Sequence, residues 1–205
     1  CSCVGVPSLA VPFHGLQERL PVASVWIKEV LVEGYRRVVT GADAQGRSRI
    51  VADEQVRPTA FQQTPGFRTT FLAATPPAIS ANANAARPNV AEGPIVPAAG
   101  GASFVIIDFP PDAVMSASDF DPAAAGQEML DLLPGFAEAF DPEAPGMHRT
   151  PSIDYAVLLA GELWLELGDG SLTRLSAGDS VVQNGTRHAW RNRSVTTATL
   201  AVVLT

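Results

Sequence analysis

Two short stretches in the last third of the chain place residues that can carry chemistry at the spacing of β-strands. His148, Thr150 and Asp154 are separated by even numbers of residues, and so are His188 and Trp190 further along. Successive side chains of a β-strand point to opposite faces, so the members of each group share one face if the stretch is extended. Polar groups from both stretches would then converge in an otherwise apolar interior.

These residue types suit two kinds of chemistry. Imidazole nitrogens and a carboxylate oxygen bind Zn, Fe, Mn, Ni or Cu, and two histidines with one carboxylate suit non-haem iron. Without a metal, Asp154 hydrogen-bonded to a histidine would form an acid–base pair. In a third interpretation, these polar residues only satisfy each other's hydrogen bonds. The sequence favours metal binding and leaves the other two interpretations open.

The elements that position these residues are predicted to be short β-strands that follow Gly146. They cover residues 153–159, 162–167, 172–175, 180–183, 188–191 and 198–204. Two of the connections, 168–170 and 177–179, contain glycine, which adopts positive φ without a Cβ clash. Many short strands joined by glycine turns are typical of a jelly roll or barrel.

More strands are predicted upstream. Residues 35–40 and 49–52 are β-prone runs around a Gly/Asp turn and predict a hairpin, and 67–73 and 103–109 predict two further strands. Residues 76–101 are rich in Pro, Ala, Asn and Gly without periodicity, which predicts an irregular crossing segment. The upstream part is therefore predicted to be an additional β region.

A helical insert is predicted between residues 121 and 140. Asp121 is suited to cap the helix and Pro122 to its first turn, and Met129, Leu130 and Leu133 fall on one face. A Pro-Gly pair at 134–135 then ends the helix, and a short second turn follows. The insert is interpreted as a buttress on the barrel, with a lid over the pocket mouth as the alternative.

Composition limits the classes of function. The chain has 205 residues, 46% of them hydrophobic and 17% charged, which suits a globular protein. Its net charge of −7 argues against nucleic acid as a partner, because phosphate binding needs clustered cations. The sequence has no apolar run of the roughly 20 residues that a membrane span needs. It also has no G-x-G-x-x-G, P-loop or nucleophile-elbow motif, so neither a nucleotide nor an organic cofactor is predicted.

The cysteines bear on the compartment. The chain has only Cys1 and Cys3, so it has no disulfide framework, which favours a reducing, cytoplasmic location. A cysteine at position 1 could instead mark a processed, lipid-bearing terminus. His14 lies nearby without a partner at ligand spacing, and it is not predicted to belong to the site.

The stretch from Gly146 to Gly161 resembles the first sequence motif of the cupin superfamily. That motif has a glycine, two histidines with one residue between them, a glutamate four residues after the second, and a glycine seven beyond that. His148 falls on the first histidine, Thr150 on the second, Asp154 on the glutamate, and Gly161 on the closing glycine.

The stretch from Gly178 to Asn192 resembles the second cupin motif. Gln183 stands where that motif usually has proline, His188 takes the place of its third histidine, and Asn192 matches its closing asparagine. This chain departs from the family in its missing histidine and in its shorter carboxylate. Shortening the side chain by one methylene moves the carboxylate oxygens back by about 1.5 Å.

The resemblance implies a mostly β fold, namely a cupin double-stranded β-helix (jelly-roll barrel) with an N-terminal β extension and a short helical insert. We predict an N-terminal arm over residues 1–20 and one cupin domain over 21–205, with the motifs in 145–205. The resemblance also implies a divalent transition metal (Fe, Zn, Mn, Ni or Cu) held by His148, Asp154 and His188.

Cupins include dioxygenases, decarboxylases, isomerases and dehydratases, and also binding domains without activity. The resemblance therefore implies a small organic molecule bound in the barrel, and we predict a metal-dependent enzyme. Its predicted catalytic residues are His148, Asp154 and His188, and its predicted substrate contacts are Thr150, Gln183 and Trp190. The alternative is a non-catalytic binding barrel that has lost its metal. Because cupins commonly pair and edge strands need cover, a homodimer is also predicted.

Overall fold

The structure is a computed structural model, and it describes residues 33–77 and 93–205. The predicted arm over residues 1–20, with its cysteines and His14, lies outside the described residues. The strands are β1 (Tyr35–Ala42), β2 (Ser48–Val56), β3 (Thr59–Ala60), β4 (Arg68–Thr75), β5 (Ala102–Phe109), β6 (Ile153–Ala160), β7 (Glu162–Leu167), β8 (Leu172–Ser176), β9 (Ser180–Asn184), β10 (His188–Arg191) and β11 (Ala198–Leu204). There is one α-helix, α1 (Pro122–Leu132), and two 3₁₀ turns, Asp112–Val114 and Ala137–Ala139.

The strands form three sheets with antiparallel pairing. The largest has six strands in the order β3-β4-β5-β11-β6-β9, the second has the order β10-β7-β8, and β1 and β2 form a hairpin. An isolated bridge from His148 to His188 adds a short segment beside β10. From β5 onward the six-stranded sheet takes β5, β6, β9 and β11 and the three-stranded sheet takes β7, β8 and β10, so the chain crosses between the two sheets as in a jelly roll. The predicted mostly β fold is confirmed.

The hydrophobic core contains alternate residues of both sheets. Along β6, β7 and β11 their side chains alternate with more exposed ones, as expected for sheets with one buried face. The core members on β5, β6, β7, β8 and β11 are Val105, Ile107, Ala156, Leu158, Leu163, Leu165, Leu175, Ala198, Leu200, Val202 and Leu204. The same alternation on β6 buries Asp154 with these apolar residues.

The predicted helical insert is confirmed, with one correction. The Asp121 carboxylate accepts hydrogen bonds from the backbone N–H groups of Ala123 and Ala124, at 2.9 and 3.0 Å, and so caps α1. Leu133 is buried and Met129 packs against the core. Leu130 was predicted on the same face, but it is 42% exposed. Because α1 touches the core only along a narrow stripe near its C-terminal end, Leu130 falls outside the contact.

The closing glycine of the first motif, Gly161, has a positive φ of 78° between β6 and β7. A Cβ atom there would lie 2.7 Å from the carbonyl oxygen of Thr197, so a larger residue would clash with backbone. Among the described residues, no helix is both long and apolar enough to cross a membrane.

Candidate functional site

The two predicted site histidines lie side by side. The backbone N–H of His148 donates to the carbonyl of His188 at 2.9 Å, and the reverse hydrogen bond measures 3.0 Å. The ring centroids are 4.3 Å apart, and the side chains are 7% and 2% exposed. Two residues that are forty positions apart in sequence are thus brought together by one antiparallel bridge.

Backbone carbonyls set the tautomer of both imidazoles. Nδ1 of His148 lies 3.1 Å from the carbonyl oxygen of Gly146, and Nδ1 of His188 lies 2.9 Å from that of Thr186. A carbonyl oxygen only accepts hydrogen bonds, so each Nδ1 must carry the proton. Each Nε2 is then left with a lone pair that can accept a proton or bind a metal.

Asp154 is buried nearby and is held by two hydroxyl groups. The hydroxyl of Ser152 donates to its Oδ1 at 2.6 Å, and that of Thr150 donates to its Oδ2 at 3.4 Å. The carboxylate is 7% exposed, on the same buried face of β6 as Ala156 and Leu158. The structure therefore brings two of the three predicted residues of the first motif, Thr150 and Asp154, into contact. It also adds Ser152, whose even spacing from Asp154 was a usable signal.

Burial shifts the pKa of all three ionisable groups toward the neutral form. Burial, reinforced by the neighbouring His188, lowers the pKa of His148 from 6.5 to about 4. Burial lowers the pKa of His188. The hydrogen bond to the carbonyl of Thr186 and the nearby Asp154 carboxylate raise it, but by less than burial lowers it. Burial raises the pKa of Asp154. The hydrogen bond from Ser152, the charge of His188 and the hydrogen bond from Thr150 act in the opposite direction and lower it, but burial is the largest effect. At neutral pH both imidazoles are therefore uncharged.

Aromatic rings enclose the histidine pair. The ring of Phe140 stacks on His148 with centroids 4.7 Å apart, and Phe136 meets His148 edge-on at 5.3 Å. Trp190 meets His188 edge-on at 5.8 Å. The two phenylalanines belong to the helical insert, so the insert packs directly on the site. Nothing in the local sequence around His148 indicated this contact, because it depends on how the insert folds back.

Gln183 lies opposite Asp154, on β9. It is 3% exposed, and its Oε1 accepts a hydrogen bond from the hydroxyl of Thr186. Its Nε2 is buried and has no hydrogen-bond partner within the described part of the chain. A buried amide N–H without a partner is costly, and such groups call for an explanation. An ordered water or a bound molecule would satisfy this donor, and the predicted substrate contact of Gln183 stays a prediction.

The donor set does not match the three-ligand metal centre that was predicted. Within residues 33–77 and 93–205, no group of three His, Cys, Asp or Glu side chains is placed to hold a metal ion. His148 and His188 are adjacent, but the Asp154 carboxylate is hydrogen-bonded to Ser152 and Thr150. The shorter aspartate side chain explains the difference, because its oxygens reach less far than those of glutamate. The hydroxyl of Thr150 lies 3.4 Å from the carboxylate, and the metal site of His148, Asp154 and His188 stays a prediction.

Two cavities open on the surface of the described residues. A cleft of about 510 Å³ is lined by Arg149, Thr150, Ser152, Asn184 and other residues, so it adjoins the hydroxyls that hold Asp154. A larger one of about 950 Å³ lies between the β1–β2 hairpin, β4 and the end of α1, away from the histidines. The smaller cleft is the more relevant one, because Thr150 and Ser152, which hydrogen-bond to Asp154, are among its lining residues.

No protein-family model matches the chain. Two curated proteins of Diaporthe leptostromiformis are similar to parts of it. One, phomopsin biosynthesis cluster protein D, is 46% identical over 77 residues, which are 38% of this chain and 37% of that protein. The other, phomopsin biosynthesis cluster protein C', is 58% identical over 50 residues, which are 24% of this chain and 26% of that protein. The chain thus spans about a third or less of these relatives.

Solved structures with a similar arrangement have low sequence identity. One is a putative ethanolamine utilization protein from Salmonella typhimurium, 10% identical, with a TM-score of 0.37 over 83% of this chain and 95% of that one. Another is the Cupin_2 domain of an XRE-family transcriptional regulator from Enterobacter cloacae, 18% identical, with a TM-score of 0.31 over 50% of this chain and 79% of that one. The strand order of the chain itself is that of a jelly roll.

Proposed function

We propose that this protein is an enzyme of a biosynthetic gene cluster that acts on a small organic molecule by acid–base chemistry, of the isomerase or dehydratase type. The observation that supports this most strongly is the buried grouping of His148, His188 and Asp154, in which both imidazoles keep Nε2 free. The similarity to biosynthesis cluster proteins supports the proposed place of this protein in a biosynthetic gene cluster.

The free energies of proton transfer fit this role. In water, a histidine with a pKa of 6.5 holds a proton much more tightly than an aspartate with a pKa of 3.8. Burial lowers the pKa of His188 and raises that of Asp154, so the two values move toward each other. The free-energy difference between the two protonation sites is thereby smaller than in water, which favours general acid–base catalysis.

Each group has a defined part in such a reaction. Nε2 of His188 accepts a proton from the substrate, and Asp154 in its acid form returns one at another atom. The free N–H of Gln183 donates to an oxygen of the substrate, as a carbonyl or a carboxylate would accept. The proton then returns from His188 to Asp154, so the net change is the movement of a substrate proton, with loss of water in the dehydratase case, and no oxidant is needed.

Deuterium exchange tests this proposal without knowledge of the natural substrate. A panel of small carbonyl compounds is incubated with the enzyme in D₂O, and deuterium incorporation is followed by mass spectrometry. Asp154→Asn should lower the exchange rate at least about 100-fold, because the acid form is lost while the shape is kept. Asp119→Asn, at an exposed position, is the matched control and should exchange like the wild type. Equal rates in wild type and Asp154→Asn would overturn the proposal.

A non-catalytic binding protein is the alternative. It needs only a pocket with a few polar anchors, and the cleft beside Thr150 and Ser152 would provide one. A molecule that binds wild type and Asp154→Asn equally, without product from either, would favour this alternative.

The predicted cytoplasmic location stays a prediction.

Metal binding is a second candidate, favoured by one observation. Two neutral imidazoles with free Nε2 atoms are suitable ligands for a transition metal ion, although the described residues supply no third one in place. Elemental analysis of purified wild type and His148→Ala/His188→Ala would decide between the candidates. Stoichiometric metal in the wild type alone would establish the metal site, and equal content would reject it.

A further inference from the structure

The cleft of about 510 Å³ beside the site has an arginine in its wall, and we name it the Arg149 cleft. Among its described lining residues, Arg149 has the only charged side chain, Asn184 supplies an amide, and several others carry hydroxyl groups. No acidic side chain is among them. The whole chain has a net charge of −7, so a cleft lined in this way is selective for an anion.

Hydrogen bonds hold both the backbone and the side chain of Arg149. Its backbone N–H donates to the carbonyl of Ala139 at 3.2 Å, at the end of the helical insert. Its Nε–H donates at 2.8 Å to the carbonyl of Gly185, which also lines the cleft. The guanidinium is therefore anchored at one nitrogen, so it loses little freedom when its terminal nitrogens bind a ligand.

Arg149 differs in its partners from the arginine beside the other histidine. Arg149 follows His148 in sequence, and Arg187 precedes His188. Arg187 forms an ion pair with Asp141 at 2.7 Å. Within residues 33–77 and 93–205, Arg149 donates only to backbone carbonyls. Its terminal nitrogens are thus available for a carboxylate from outside the chain, which a guanidinium binds through two parallel hydrogen bonds.

The hydroxyl groups nearest to Asp154 are not donors toward the cleft. Ser152 and Thr150 each direct the single hydroxyl hydrogen to the Asp154 carboxylate, so their oxygens remain available only as acceptors. Asn184 is exposed, and its amide can donate. An anion in the cleft would therefore be bound by Arg149 and Asn184. A hydroxyl group of the same molecule could donate to Ser152 or Thr150.

We infer that the Arg149 cleft binds the carboxylate group of a small organic acid. One arginine with one amide balances the single charge of a carboxylate, whereas a phosphate dianion would need further cations. The inference rests on the proposed function only in treating the bound acid as the substrate. In that case it names the substrate class, namely an organic acid bound next to the residues that hold Asp154.

NMR titration of the ¹⁵N-labelled full chain tests the inference by binding alone. The probes are linear mono- and dicarboxylates of two to six carbons, the methyl ester of each, and inorganic phosphate. At least one carboxylate should shift the signals of Arg149 Nε–H, the Asn184 amide and the Gly185 N–H. It should bind at least about 10-fold more tightly than its ester, because the ester lacks the charge that the guanidinium binds.

Three variants assign the effect to the cleft. Arg149→Gln should abolish the preference for the acid over its ester, because it removes the charge and keeps a polar side chain. Asn184→Asp adds a like charge beside the bound carboxylate and should weaken binding at least about 10-fold. Arg49→Gln removes the same charge at an exposed position of the β1–β2 hairpin and should bind like the wild type. Thermal melting followed by circular dichroism establishes that each variant is folded.

The inference would be overturned if no carboxylate shifted these signals, if phosphate bound more tightly than every carboxylate, or if Arg149→Gln and Asn184→Asp both bound like the wild type. Asp154→Asn separates this inference from the proposed function. It should still bind the carboxylate while losing deuterium exchange. Binding that depends on Arg149, together with unchanged exchange in Asp154→Asn, would leave the carboxylate site in place and reject the acid–base function.

Discussion

The burial of a neutral His148 makes the stability of this protein sensitive to acid. In the folded protein the pKa of His148 is about 4, whereas the unfolded chain has the ordinary value of 6.5. Between pH 4 and pH 6.5, the unfolded state therefore binds a proton at His148, whereas the folded state does not. Stability is fully retained above about pH 6.5, is lost progressively as the pH falls from 6.5 to 4, and falls no further on this account below pH 4.

The size of this effect follows from the two pKa values. One pKa unit corresponds to about 1.4 kcal/mol. Through His148 alone, the free energy of unfolding is therefore about 2 kcal/mol lower at pH 5 than at pH 7. For a chain of this length, such a loss lowers the melting temperature by about 4–8 °C. Asp154 contributes with the opposite sign, because its folded pKa is raised and its protonation stabilises the folded state.

The assay is urea unfolding at pH 7 and pH 5, in wild type and His148→Gln. The variant removes the titrating group, while Asp154 and the other carboxylates remain in both proteins. The free energy of unfolding should fall between pH 7 and pH 5 by about 2 kcal/mol more in the wild type than in the variant. The same pH dependence in both proteins would refute the burial of a neutral imidazole at this position.

Two further predictions concern the framework that holds the site. Asp108→Asn should lower the free energy of unfolding by about 3–5 kcal/mol, because it removes the charge of a buried carboxylate that forms an ion pair with Arg68 at 2.8 Å. Asp53→Asn, at an exposed ion pair, should leave denaturant midpoints almost unchanged. Gly161→Ala should cost more than about 1 kcal/mol in the same assay, since its Cβ would meet a backbone carbonyl at 2.7 Å. Gly170→Ala has a similar φ of 81° but open space, so a loss as large as that of Gly161→Ala would contradict this explanation.

Local signals in the sequence were sufficient for the elements around the site. Alternation of apolar residues and glycine turns predicted the strands from β6 to β11. The strand predicted over residues 162–167 has the same bounds as β7 in the structure. The Asp-Pro pair at 121–122 predicted the start of α1, because capping depends on the neighbouring residues alone. The two-residue strand β3 was missed, since Thr59–Ala60 is too short to show any period.

Contacts between distant segments could not be predicted in this way. The even spacing of 148, 150 and 154 indicated a shared face, and the structure buries all three residues. However, spacing does not show how far a carboxylate reaches, and Asp154 is held by Ser152 rather than joined to the histidines as a third ligand. The packing of Phe140 on His148 depends on the path of the insert, which no local pattern specifies.

The central claim is that His148, His188 and Asp154 form a buried acid–base centre with neutral imidazoles, and ¹⁵N and ¹³C NMR titration tests it most directly. At pH 7 both imidazoles should be uncharged and protonated at Nδ1, and the carboxyl carbon of Asp154 should titrate above the ordinary value of 3.8. The claim would be contradicted by a His188 that is charged at pH 7, by protonation at Nε2, or by an Asp154 that titrates at or below 3.8.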